Sequence, residues 1–149
     1  MGWNLRTAKL VAATVVVAAS SPWAAFGIGA NLGKPTGLNL RVGQQRSVEG
    51  ILNWGLEGQE HVELIGNILF HGQSLGRESP ITGIYPHAGI GLGFWSDGNQ
   101  GAWIQVPLGI DMRFSVPIEL GLHVDPGMDI VPKTGFTIHW GLGIRYWFK

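Results

Sequence analysis

The strongest constraint in this sequence is an alternation of apolar with polar or small residues that begins at Phe26 and continues to Phe148. Successive side chains of a β-strand point to opposite faces of a sheet, so a period of two predicts strands with one apolar face. The last segment alternates most clearly, and its predicted apolar face holds Phe136, Ile138, Trp140, Leu142, Ile144, Tyr146 and Phe148. No helical period is found after residue 25.

The same alternation recurs in seven earlier segments, which gives eight predicted strands. The segments are residues 26–32, 38–42, 48–56, 61–71, 85–94, 102–113, 118–124 and 136–148. Turn signals separate most of them, and longer connections are predicted at residues 72–83 and 125–135. Short links between adjacent strands indicate an antiparallel up-and-down order. Pro107 lies inside the sixth segment, where it predicts a bulge or a locally unpaired site.

The first 25 residues have the pattern of a signal peptide. Arg6 and Lys9 form a positive start, and residues 10–19 are an uncharged apolar run followed by small residues. The run is about half of the roughly 20 residues that a membrane-spanning helix needs, which disfavours the alternative of an N-terminal anchor. We therefore expect a cleaved signal peptide at residues 1–25 and a single domain at residues 26–149.

Composition excludes several classes of function. The 149 residues include no cysteine, which excludes disulfides and cysteine-ligated zinc or iron–sulfur sites. Ten basic and ten acidic residues balance, so no strong field attracts nucleic acid. Charged residues make up only 13%, whereas 24 glycines and seven tryptophans are present. Low charge with many glycines and aromatic residues is compatible with a membrane β-barrel.

Alternation alone does not distinguish a soluble sandwich from a membrane barrel, but the non-apolar face does. It contains many glycines, and no lysine falls within a predicted strand, although soluble sheets use lysine to protect exposed edges. Its charges nearly balance, and the narrow interior of an eight-stranded barrel requires charges to be paired. The sequence thus predicts an all-β fold, an eight-stranded antiparallel up-and-down transmembrane β-barrel. Its predicted interior ion-pair network consists of Arg41, Glu49, Glu63, Asp111, Arg113, Glu119 and Arg145.

Several runs resemble a family of small, poorly characterised outer-membrane barrel proteins of Gram-negative bacteria and spirochaetes. The matching runs are residues 26–29, 34–38, 105–110, 117–120, 125–127, 131–136 and 141–148, which extend over nearly all of the chain after residue 25. The resemblance implies a barrel similar to the membrane domain of outer membrane protein A, with no catalytic residues. The last strand also resembles the signal read by the outer-membrane insertion machinery, although Lys149 follows the aromatic Phe148.

The expected function is a structural or interaction role in the bacterial outer membrane, as a monomer without catalysis, cofactor or metal. The five histidines all fall on the non-apolar face, where we interpret them as polar filling, because their spacing matches no metal motif. A lipid-modifying enzyme is disfavoured because the serines in the links lack an adjacent histidine. The main alternative is a soluble secreted barrel that carries an apolar ligand inside, as lipocalins do.

Overall fold

The chain forms a closed antiparallel β-barrel. The computed structural model describes residues 25–54 and 61–148, so nearly all of the predicted signal peptide, the predicted turn at residues 57–60 and Lys149 lie outside the described residues. Among the described residues, no helix is long and apolar enough to cross a membrane. The strands are β1 Phe26–Lys34, β2 Gly37–Val42, β3 Arg46–Trp54, β4 Val62–His71, β5 Ile81–Ser96, β6 Gln100–Gln105, β7 Leu108–Phe114, β8 Ile118–Val131 and β9 Gly135–Phe148.

The barrel has eight strand positions around its circumference, here called staves. It has eight and not nine because β6 and β7 lie end to end and together fill one position. Both pair with β5 on one side and with β8 on the other. Every other strand pairs with its neighbours in sequence, and β9 returns to pair with β1. All pairings are antiparallel, which confirms the predicted eight-stranded up-and-down barrel.

The pairings also define the stagger of the barrel. A circuit of paired residues passes through Trp147, Gly27, Arg41, Glu49, Asn67, Gly91, Gln105, Gly127 and Thr137. One turn around the barrel therefore moves from residue 147 to residue 137 of β9, a shear of ten residues toward the turn between β8 and β9. With a rise of about 3.3 Å per residue and a strand spacing of about 4.8 Å, this shear corresponds to a strand tilt of about 40°.

Residue numbers show which face of the wall a side chain is on: odd-numbered side chains face the lumen, and even-numbered side chains face outward. Except for Leu75 in a link and Val131 at the end of β8, every exposed large apolar residue has an even number. Every buried polar or charged residue has an odd number. Directly opposed residues of antiparallel strands point to the same face, so these registers preserve the parity around the barrel. The apolar side chains thus face outward, and the charged ones line the lumen.

Two features of the connections correct the sequence prediction. Residues 125–131, predicted to belong to a long link, extend β8 instead, and the turn that follows is only residues 132–134. The ladder continues through Pro126↔Ile138 and Gly127↔Thr137, so pairing with β9 overrides the turn signal of Asp-Pro-Gly. The other long link is shorter than predicted, because β5 begins at Ile81.

Pro107 interrupts the sixth stave without shifting it. The register with β5 is the same on both sides, at Gly91↔Gln105 and Ala88↔Leu108. The carbonyl of Pro107 still accepts a hydrogen bond of 2.9 Å from Gly89 N, so the break is limited to the missing N–H. Of the two predicted alternatives, the locally unpaired site is therefore correct; the bulges lie elsewhere, between Ile81 and Gly83 and between Ala102 and Trp103.

Candidate functional site in the barrel lumen

Asp111 lies at the centre of a buried charged network in the half of the lumen nearer the chain termini. It is fully buried on β7. Arg145 Nη2 donates to its Oδ1 at 2.9 Å, and Arg41 Nη1 donates to its Oδ2. His71 Nε2 lies 2.7 Å from the same Oδ2. Both carboxylate oxygens are thus satisfied by groups that come from other strands.

Glu49 of β3 provides a second buried carboxylate between the same two arginines. Arg41 Nη2 donates to its Oε2 at 2.7 Å, and Arg145 Nη1 donates to that oxygen at 3.0 Å. Asn39 Nδ2 donates to Oε2 at 2.9 Å, while Asn67 Nδ2 donates to Oε1 at 3.1 Å. The two amides take up acceptor capacity that the arginines leave, as a buried carboxylate requires.

Glu119 of β8 joins a third arginine to the network. Arg145 Nε donates to its Oε1 at 2.9 Å, and Arg113 Nε donates to its Oε2 at 2.8 Å. Arg41 Nη1 also approaches Oε1, at 3.3 Å. Three guanidinium groups therefore balance three carboxylates, and the network as a whole carries no net formal charge. Such a network is costly to bury, but removing one member leaves an uncompensated charge that costs far more.

Glycine at inward positions makes room for the long side chains. Gly121 lies between Asp111 and Arg145, and a Cβ there would approach Asp111 Oδ1 to 2.6 Å and Arg145 Nη2 to 2.7 Å. Both distances are shorter than real Cβ contacts, so a side chain at this position would force the ion pair apart. The glycine-rich face noted in the sequence is therefore a steric requirement of the charged interior.

The structure brings six of the seven predicted network residues together and leaves Glu63 apart. Glu63 lies toward the other end of the lumen, where Asn53 Nδ2 donates to its Oε2 at 2.8 Å and His61 Nε2 lies 3.3 Å from Oε1. Parity places Glu63 correctly inside the barrel. Its distance along the axis from the arginines depends on the shear, which the sequence does not reveal.

Sequence reasoning also missed polar members of the network that carry no charge. Asn39, Asn67 and His71 all lie on the face predicted to be the lumen, but nothing in the pattern linked them to a particular carboxylate. Asn39 is not the direct cross-strand partner of an acidic residue, yet its side chain donates a hydrogen bond to Glu49. The one signal in the sequence was that these residues have odd numbers, which predicts that their side chains face the lumen.

Two histidines and Asp111 form the one cluster with metal-ligand character among the described residues. Ligand-capable atoms of His71, His87 and Asp111 lie within 4.8 Å of one another. However, Arg41 Nη1 donates to the same Asp111 Oδ2 and lies 3.5 Å from His71 Nε2. A divalent cation at this position would face a guanidinium at close range, which is electrostatically unfavourable. The donor set therefore fits ion pairing better than metal binding.

The opposite half of the lumen is filled by an apolar cluster around Trp103. Trp103 packs with Ile51 and Ile65, and all three are 1% exposed. Its Nε1 donates to Gln105 Oε1 at 2.7 Å, and its ring stacks on His139 with 4.8 Å between centroids. These side chains close the lumen above the charged network.

A polar chain connects β8 with β1 beside this cluster. The ring of His123 lies between Asp125 and Asn31, with Nδ1 2.8 Å from Asp125 Oδ2 and Nε2 2.9 Å from Asn31 Oδ1. Asn31 Nδ2 in turn donates to Pro35 O at 2.7 Å. The histidine thus connects two strands through one contact at each ring nitrogen.

Among the described residues, the cavity beside the charged network of the lumen is small. A cavity of about 10 Å³ lies between the charged network and the His123–Asp125 pair. This is close to the smallest space that holds one water molecule. At the end near the termini, Arg113 lies over the ring of Tyr85 at 4.6 Å and over that of Trp147 at 5.7 Å. The interior is a packed core, as expected for eight strands.

Comparisons of the chain with protein-family models, with curated proteins and with solved structures find no match. The arrangement of its residues therefore carries the functional inference.

Proposed function

We propose that this protein is an integral β-barrel of the bacterial outer membrane, with a structural or interaction role and no catalysis. Its wall would contact lipid, its filled lumen would hold the barrel rigid, and its links would meet the aqueous phases on either side. The observation that carries the proposal is the sidedness of the strands: apolar side chains point out and paired charges point in.

The outer wall supports this proposal because it is apolar around the whole circumference. Each of the nine described strands contributes at least one exposed large apolar residue. In β2 this residue is Leu38, because Leu40 is half-buried and Val42 is buried. Within the described strands, charged side chains on the outward parity occur at strand ends alone, at Lys34 and Arg46. Soluble monomers seldom expose contiguous apolar patches beyond a few hundred Å², whereas a wall facing hydrocarbon needs this composition.

Outward aromatic side chains lie toward both ends of the wall. Near the termini, the rings of Phe26 and Phe148 stack with 4.8 Å between centroids, and Tyr146 meets Phe148 edge-on at 4.9 Å. Toward the other end, Trp54 is the last residue of β3, and Phe94 and Phe136 lie near the end of β5 and the start of β9. Aromatic girdles at the two interfaces are characteristic of membrane barrels.

The alternative of a soluble barrel with an apolar ligand inside lacks support in this geometry. Such a carrier needs an open apolar chamber, whereas paired charges fill one half of the described lumen and the Trp103 cluster fills the other, and the cavity beside the charged network is about 10 Å³. With an even number of staves, both termini and residues 43–45, 72–80 and 115–117 would face the periplasm. The turns at residues 35–36, 97–99 and 132–134 would then be extracellular, and β9 would be the strand read by the insertion machinery.

Fractionation of expressing bacteria tests the proposal. The protein should stay with outer membranes after washing with alkaline carbonate and with urea, and detergent alone should extract it. The extracted barrel should migrate faster on a denaturing gel before boiling than after boiling. Release by carbonate, or a monodisperse monomer in buffer without detergent, would contradict membrane integration.

A further inference from the structure

A groove of about 590 Å³ crosses the outer wall between two rows of side chains. One row consists of successive cross-strand partners, Gly66, Leu92, Ile104, Met128 and Phe136. The other row lies two residues away along each strand and includes Ile68, Ile90, Val106 and Pro126. The groove is open at its β4 end, because a Cβ on Gly66 would have no atom within 4 Å.

The dimensions of this groove fit a single hydrocarbon chain. It extends from β4 to β9 over four strand spacings, about 19 Å at about 4.8 Å each. An acyl chain of one leaflet extends over half of the hydrocarbon core, about 15 Å. The two rows are two residues apart, about 7 Å at a rise of about 3.4 Å, whereas an α-helix is about 10–12 Å wide. An α-helix is therefore wider than the spacing between the two rows.

The groove also has a direction. Following paired residues from β4 to β9 moves toward the end of the barrel that carries the β8–β9 turn, because the shear climbs that way. Its upper end lies between Met128 and Phe136, which flank that turn, and Phe136 is 75% exposed. Lys133, in the turn at residues 132–134, is exposed just above this end.

We propose that this groove binds one acyl chain of a phosphate-bearing membrane lipid, with Lys133 attracting the headgroup. This inference rests on the proposed function, since it requires the wall to be in a bilayer. The apolar rows supply the contact with the chain, and the lysine supplies the preference for an anionic headgroup. Bulk lipid elsewhere on the wall would show no such preference.

Fluorescence quenching by brominated lipids tests this site, because the absence of cysteine allows a single bimane label to be placed. The label is attached at L92C inside the groove or at I144C on β9, where the native side chains are 43% and 44% exposed. The barrel is reconstituted in phosphatidylcholine vesicles that contain either brominated phosphatidylglycerol or brominated phosphatidylcholine. Comparing the two quenchers at one position removes the effect of label depth.

At position 92 we expect half-maximal quenching at about fivefold less phosphatidylglycerol than phosphatidylcholine, the preference that one lysine near an anionic lipid supplies. At position 144, outside the groove, the two quenchers should act equally. Lys133→Gln should abolish the preference, whereas Lys34→Gln, at the same end of the barrel, should keep it. Gly66→Phe should fill the groove and reduce quenching at position 92 by both lipids, while Ala30→Phe should not.

Equal quenching by the two lipids at position 92 would overturn the site while leaving membrane insertion intact. A label at position 92 that is shielded while position 144 is quenched would also overturn it, because a protein would then occupy the groove. Absence of quenching at both positions would contradict the proposed function itself, because the barrel would not be in the bilayer.

Discussion

Arg145 of β9 reaches past β8 to bond Asp111 of β7, with 2.9 Å between Nη2 and Oδ1. The two residues lie on strands that do not pair with each other but both pair with β8, so this contact joins β7 to β9 on the lumen side of β8. Gly121 of β8 lies between the two side chains, and its lack of a Cβ leaves room for their contact. Because both side chains are buried, the contact depends on an unobstructed path as well as on opposite charge.

Gly121→Ala should therefore destabilise the barrel by about 2–4 kcal/mol, since the methyl group leaves buried charges imperfectly paired. Urea unfolding in lipid vesicles, followed by tryptophan fluorescence, measures the loss. Gly66→Ala is the matched control, because its Cβ enters open space on the outer wall. Equal stability of the two variants would show that the ion pair adapts without cost.

Asp111→Asn should cost about 3–5 kcal/mol, because the amide keeps the shape but leaves three arginines facing two carboxylates, with one positive charge uncompensated. We expect a lower temperature for the loss of the fast-migrating form on unheated gels. Glu63→Gln serves as the comparison, because Glu63 bonds Asn53 outside the network and is partly exposed. A smaller effect for Asp111→Asn than for Glu63→Gln would refute the central place of Asp111.

Arg41→Leu and Glu49→Leu should be strongly non-additive. Each single change strands a buried charge, whereas the double change removes the pair, so the coupling free energy should reach about 1–3 kcal/mol. A double-mutant cycle from unfolding free energies gives this quantity. Additive effects would mean that the contacts of 2.7 Å and 3.1 Å between these side chains contribute little that is specific to the pair.

Leu122→Arg tests which environment surrounds the wall. Leu122 is 60% exposed near the middle of β8, and an arginine at the bilayer midplane costs about 2–4 kcal/mol in a membrane barrel. Folding into vesicles should be impaired accordingly, as measured by the fraction of heat-modifiable protein. Leu75→Arg, at a link position that is 69% exposed, should fold normally. Improved solubility and unimpaired folding of Leu122→Arg would favour an aqueous surrounding.

Trp103→Ala should cost about 3–5 kcal/mol, because it opens a cavity in the lumen and leaves the Gln105 carbonyl without its donor. Trp140→Ala removes an equally large side chain from the outer wall, where Trp140 is 55% exposed, and should cost much less. Urea midpoints of the two variants provide the measurement. A larger loss for Trp140→Ala would show that the wall contributes more to stability than the filled lumen does.

Alternation was sufficient to predict the number of staves, their antiparallel order and the face of each residue, because a period of two is a property of the strand itself. It failed at residues 125–131, where Asp125, Pro126 and Gly127 are turn formers that pairing with β9 keeps in the ladder. Local propensity is a weak guide when a neighbouring strand supplies hydrogen bonds for the whole segment.

Membership of the charged network was predictable only in part. Parity placed Glu63 and Asp111 on the same inner face, but their height along the axis depends on the register of every intervening pair. The sequence contains no local signal for that cumulative stagger. The neutral partners Asn39 and Asn67 were missed for the same reason, because their contact with Glu49 crosses from β2 and β4 to β3.

The single parity that separates inner from outer residues limits how the chain can change in length. Inserting one residue within a stave would turn every position up to the next turn inside out, bringing arginine or glutamate to the wall and leucine to the lumen. The turns carry no such restriction, because they can absorb extra residues beyond the last paired position. Length variation among descendants of this chain should therefore accumulate at the rims, while the staves change by substitution alone.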